Sequence, residues 1–123
     1  MLLDDIETYL LAQGVIGEIT KGHRPDQPDN LIALFPTGGF SHDLNLPDVR
    51  PTIQVLVRDA VYEAAYSRIW ALYNLLDKPG DKLIVSGGRR MVPQAMQPPA
   101  FLEFDANNRS VFVFNVALWT SRD

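Results

Sequence analysis

His23 and His42 are the residues best suited to metal or acid–base chemistry in this 123-residue chain. A metal site would need them to converge with Asp26, Asp29 or Asp43. Both stand in Gly-, Pro- and Asp-rich stretches, and no His-x-His or His-x-x-x-His spacing joins them, so solvated loop histidines are the better reading. Asp4, Asp5, Asp43, Asp48 and Glu103 supply carboxylates, but none falls into a recognisable acid/base pair. Ser41-His42-Asp43 holds the three residue types of a hydrolytic triad. Adjacent residues on one loop cannot take up that geometry, which is assembled from distant positions. Gly38-Gly39 and Gly87-Gly88 lack a following Lys-Ser/Thr and open no helix, so they read as turn glycines rather than phosphate cradles. The chain has no cysteine, which excludes a disulfide framework, a thiolate metal site and a cysteine nucleophile. No catalytic, cofactor-binding or metal-ligating residue is assigned, and the chain reads as built to make a surface, not an enzyme.

The composition points the same way. Hydrophobic residues make up 46% of the chain, enough for the core of one domain spanning residues 1–123. The formal net charge is −4, and among eleven scattered Lys and Arg the only adjacent pair is Arg89-Arg90. A protein that grips nucleic acid through phosphates shows a basic face, so specific nucleic-acid binding is disfavoured. The N-terminal Met1-Leu-Leu-Asp-Asp5 lacks the basic start of a signal peptide, and no run approaches the ~18 apolar residues of a membrane span. A soluble protein made in a cytoplasm is expected.

The elements that would form the surface follow from periodicity. Leu3, Ile6 and Leu10 predict a helix over residues 2–13, with Asp4, Asp5 and Glu7 at its dipole-favoured end. Residues 15–19 read as a short strand or an extended link, and residues 31–35 as a strand ended by Pro36 and Gly38-Gly39. Residues 36–50 then read as a long loop. Ile53, Val55 and Val57 alternate with Gln54, Leu56 and Arg58 as a strand, and Asp59 is placed as the N-cap of the helix behind it. That helix carries Val61, Ala65, Ile69, Leu72 and Leu76 on one stripe, with Tyr62, Tyr66, Trp70 and Tyr73 on its shoulders. The aromatic shoulder could stack bases, but packing or a subunit interface is the preferred reading. Residues 82–86 read as a strand, and residues 91–100, with three prolines, as irregular or a broken edge strand. A hairpin turning at Asn107-Asn108 closes the chain. In its second strand Phe112, Phe114, Val116 and Leu118 face one way and Val111, Val113, Asn115, Ala117 and Trp119 the other. Both faces are largely apolar, so this strand is expected to be central and covered on both sides, either by its own helices or by a neighbouring subunit. The class is α+β, a mostly antiparallel β-sheet with two α-helices packed on one face.

Three segments together resemble the tail terminator proteins of long-tailed bacteriophages, also called tail completion or minor capsid proteins. They are Thr52-Ile-Gln-Val-Leu-Val-Arg-Asp59, running directly into Tyr62-Glu-Ala-Ala-Tyr66 with Ile69, Leu72 and Leu76, and the closing hairpin Phe101-Leu-Glu-Phe-Asp-Ala-Asn-Asn-Arg109 with Phe112-Val-Phe-Asn-Val116. The short N-terminal helix and the Pro/Gly-rich stretch behind it also fit. The resemblance implies a virion protein of the tail or neck, assembled in the bacterial host cytoplasm. It further implies a hexameric ring at the head-proximal end of the tail tube, which stops tube polymerisation and offers a joint to the head. The implied partners are further copies of the chain, the major tail tube protein and a neck or head-completion protein, with no cofactor and no membrane. DNA would pass through the ring. A ring subunit needs two different complementary surfaces. Phe40, Arg89, Arg90, Met91 and Trp119 are the candidate subunit, tube or neck contacts, chosen from loop length and composition. A neck or head–tail joining protein is the alternative within the same particle, and a small ligand-binding α+β domain the alternative outside it.

Overall fold

The computed structural model describes residues 2–40, 48–78, 84–86 and 89–121. In chain order the elements are α1 (Leu2–Ala12), β1 (Glu18–Lys21), β2 (Leu31–Phe40), β3 (Asp48–Asp59), α2 (Tyr62–Leu76), β4 (Ile84–Ser86), β5 (Arg89–Ala95), β6 (Ala100–Phe104) and β7 (Ser110–Ser121). All seven strands belong to one sheet of order β1-β2-β3-β7-β5-β4, with β6 also on β7. The fold is α+β, and every strand pair is antiparallel except β1–β2.

β7 is the spine. It pairs with β3 along its whole length, from Asp48↔Ser121 to Asp59↔Ser110. Its other edge is shared end to end by β5, from Met91↔Thr120 to Ala95↔Val116, and β6, from Ala100↔Val113 to Phe104↔Ser110. The period-2 alternation of β7 sends Phe112, Phe114, Val116 and Leu118 into the main core. There they meet Ile53, Val55 and Val57 of β3, Leu3, Ile6 and Leu10 of α1, and Ala65, Ile69, Leu72 and Leu76 of α2.

The sheet is strongly curled. α1 touches β1 and β2 and also β4, although β1 and β4 end the sheet at opposite edges. Five inter-strand steps would hold those edges about 24 Å apart in a flat sheet, against roughly 16 Å for the whole of α1. α1 therefore closes the seam of a curled sheet, and both helices lie on its concave side. The acidic first turn of α1 fixes this placement. Lys21 Nζ on β1 donates to Asp4 Oδ1 at 2.7 Å and Glu7 Oε1 at 2.8 Å, and Arg89 Nε on β5 donates to Asp5 Oδ2 at 2.7 Å.

Several boundaries differ from the sequence reading. β2 does not stop at Pro36 but runs to Phe40, and β3 starts at Asp48, so residues 36–40 and 48–50 of the expected loop are strand, while 41–47 lie outside the described residues. The described part of β1 ends its pairing at Leu34, which leaves Pro36 on a free edge where its missing N–H costs no ladder bond. Gly38 and Gly39 sit at φ +95° and +141° within a register shift between Pro36 and Gly39, so they make a bulge rather than a stop. A Cβ at Gly39 would lie 2.5 Å from the Arg50 carbonyl oxygen, a distance that only glycine allows. Of residues 91–100, expected to be irregular or a broken edge strand, 91–95 belong to β5, which lies inside the sheet, 96–99 are irregular, and Ala100 opens β6. Pro93 falls beyond the Ile84↔Met91 pair, and its carbonyl accepts from Lys78 N–H at 2.9 Å. Asp59 is not the N-cap. It is the buried end of β3, its Oδ1 accepts from Val61 N–H at 2.9 Å, and Val61 holds the cap position without a side-chain bond. Of the strand expected over 82–86, β4 covers 84–86; residues 82–83 and the Ser41-His42-Asp43 motif lie outside the described residues.

Candidate assembly surfaces

The convex face of the sheet is closed at one end by a loop. Parallel pairing of β1 and β2 requires the chain to return over residues 22–30, and the short rise of β1, about 13 Å, lets so short a segment do it. This return lies against two buried arginines. Arg58 Nε donates to Asp29 O at 3.2 Å, and its Nη2 donates to Pro28 O and to Asp26 O. Arg109 donates to Asp26 Oδ1 at 2.8 Å, Asp29 Oδ1 at 3.1 Å, Asp26 O, and Asp105 Oδ2 at 2.8 Å. Burial would push the Asp105 carboxyl upward, but bonds from Arg109 N–H, the Arg109 guanidinium and Asn107 N–H outweigh it and hold it below its ordinary range. Burial, followed by the charge of Arg109, lowers the pKa of Arg58. These groups also line a shallow polar hollow with Arg24, Glu103 and Asn107. Their bonds run to one another and to the loop, so this cluster is a latch for the fold. Leu31, Ala33, Leu56 and Val111 form a small second core beside it.

A different surface lies along one flank of α2. Tyr62, Tyr66, Trp70 and Tyr73 form a ladder of tilted and edge-on ring contacts with one another and with Phe112 and Phe114 of β7, at centroid distances of 5.2 to 6.3 Å. The ladder continues onto β6 through Tyr62–Phe101 at 5.8 Å and Phe101–Phe104 at 5.0 Å. All five residues of β6 are exposed, and four of them are apolar; Leu102 is 51% and Phe104 56% accessible. An exposed apolar edge strand is a liability in an isolated domain and a ready contact in an assembly.

The opposite flank of α2 is a groove. Ala64, Ser67, Arg68, Ala71 and Leu75 form one wall, and Gln13, Gly14, Val15 and Ile16 the other, around about 430 Å³. Ile16 is 78% exposed at its rim. Arg68 Nη1 is closed off from solvent and has no hydrogen-bond partner among the described residues. Gly17, at φ +109°, leaves space for that guanidinium; a Cβ there would sit 3.4 Å from Nη1.

The residues chosen from sequence are scattered over these features. Phe40 ends β2, where its backbone pairs with Arg50, and its side chain lies outside the described residues. Met91 is only 2% exposed, inside the main core, and so it serves packing. Arg89 is half-buried and bonded to Asp5 and to Thr120 Oγ1. Arg90 is exposed, and Trp119 is 39% exposed on the convex face. That face is not covered by helices as the concave face is: Val113, Asn115 and Ala117 of β7 are only half-buried there. His23 is exposed, with Nδ1 3.3 Å from Lys21 O. Among the described residues no group of three or more His, Cys, Asp or Glu is arranged to hold a metal ion, and no helix is long and apolar enough to cross a membrane. Sequence reasoning passed over Arg68, the exposure of β6 and the Arg58–Arg109 latch. The aromatic shoulder of α2 was the one visible signal for any of them.

A family model described as bacteriophage tail terminator protein matches residues 9–120, and the chain belongs to that family. It is therefore a structural protein of the phage tail, a virion component that works with other tail and head proteins. A search of curated proteins returned no match. A solved structure superposes with a TM-score of 0.64 at 13% identity, covering 99% of this chain and 94% of its own, and at that identity the likeness shows the fold alone.

Proposed function

We propose that this protein ends the tail: copies form a ring, six by the family resemblance, on the head-proximal end of the tube, stop its polymerisation and present a joint to the neck. The observation that carries this reading is the pair of unlike contact surfaces on the two flanks of α2. A closed ring of identical subunits needs two different patches that match each other, whereas a two-fold dimer needs one patch that matches itself. The net charge of −4 suits a passage that DNA slides through without being gripped. Arg90 and Trp119, with the β2 end at Phe40, are available for contact with the tube protein or the neck protein. The chain acts by binding and not by catalysis.

Purified protein added to polymerising tail tube subunits tests this directly. Tubes that stop short in proportion to the amount added support a terminator. Tubes of unchanged length, with the protein bound instead to isolated heads, support the neck or head–tail joining role.

A further inference from the structure

The two flanks of α2 match in chemistry as well as in position. At 100° per residue, the stripe of Tyr62, Tyr66, Trp70 and Tyr73 and the stripe of Ala64, Ser67, Arg68, Ala71 and Leu75 are centred roughly 160° apart on the helix. One flank projects: β6 carries Phe101, Leu102 and Phe104 outward. The other recedes, because small side chains at Ala64, Ser67 and Ala71 leave the groove open beside Val15 and Ile16.

The groove also has an electrostatic demand. Arg68 is the one cation among the residues that line it, on walls that are otherwise mainly apolar. A surface that matches the groove therefore presents apolar side chains together with a negative charge or carbonyl oxygens. β6 fits that description. Its outer edge has no strand partner among the described residues, so it offers main-chain carbonyls, and it carries the half-exposed Glu103 carboxylate, held only by a 3.5 Å pair with Arg24.

We infer that β6 of one copy docks in the groove between α2 and residues 13–16 of the next copy, with Leu102 or Phe104 against Val15 and Ile16 and a β6 acceptor on Arg68. The contact is head to tail, since projection and groove are different surfaces, and its repetition uses both flanks of every subunit. This deepens the ring reading by naming the surfaces, yet it can stand or fall separately.

The absence of cysteine makes the test clean. Ile16→Cys and Leu102→Cys variants, differently tagged and mixed under mild oxidation, should give a disulfide-linked pair containing one of each. The double variant I16C/L102C should give a ladder of covalent multimers. Arg68→Ala in that background should slow cross-linking about tenfold while the circular dichroism spectrum is unchanged. The contact is overturned if only like pairs form, or if the mixed pair forms no faster than Ile16→Cys with Glu63→Cys on the outer side of α2. A positive cross-link with unregulated tube length would keep the contact and remove the terminator role. Regulated tube length without the cross-link would do the reverse.

Discussion

The guanidinium carbon of Arg50 on β3 lies 4.2 Å from the centre of the Trp119 ring on β7, on the side of the sheet that the helices leave open. The pair puts a large aromatic surface and a cation together at the end of the convex face opposite the Arg58–Arg109 latch. A cation–π pair at such a site contributes about 0.5–1 kcal/mol. Trp119 is 39% accessible, so Trp119→Ala removes partly buried ring surface as well as the pair and should lower unfolding free energy by about 1–3 kcal/mol. If the pair serves assembly, the same variant should lower the yield of infectious particles in a complementation assay by tenfold or more. A variant that unfolds easily would show that Trp119 is a packing residue.

The latch makes an acid-sensitive prediction. Asp105 is held below the ordinary carboxylate range in the folded chain. Its contribution is complete above the unfolded value of about 3.9 and is lost as the pH falls through the lower folded value. Asp105→Asn should lower the melting temperature clearly at pH 7, and the gap from the natural chain should narrow toward pH 3. A gap that stays constant over that range would mean that charge is not what Asp105 supplies. Limited proteolysis of the variant should cut first within residues 22–30, the loop that the latch restrains.

Gly39 is a backbone requirement. With a φ of +141° and the Arg50 carbonyl in the space of a Cβ, Gly39→Ala should cost about 1–3 kcal/mol in a urea titration. A neutral result would mean that the β2 bulge relaxes freely.

Ile69 is fully buried where α2 meets the sheet. Ile69→Ala should destabilise the fold by about 2–5 kcal/mol in the same titration. Glu63→Ala, on the exposed side of the same helix, should change it by less than about 0.5 kcal/mol. Equal effects would contradict the assignment of the core stripe.

Much of the fold was legible because it rests on local periodicity. The α1 and α2 stripes and the alternation of Phe112, Phe114, Val116 and Leu118 each report a buried face directly. The errors fell where a tertiary fact overrules a local signal. Pro36 stays in a strand because the pairing of β1 with β2 stops at Leu34, which no local rule can supply. Gly38-Gly39 read the same whether they end a strand or bulge it. The surfaces were less legible than the core. Arg58 and Arg109 bond to a loop about 30 and 80 residues away in sequence. The orphaned nitrogen of Arg68 is visible only once the groove walls are assembled, and Met91, read as a surface residue from its loop-like context, is core because β5 is an inner strand.

Electron microscopy of particles made by a phage lacking the gene shows whether this chain stops tail growth. Loss of a terminator should leave overlong, ragged tails without heads, restored to uniform length when the gene is supplied in trans. Tails of normal length beside full, unjoined heads would contradict the terminator role and move the protein to the neck.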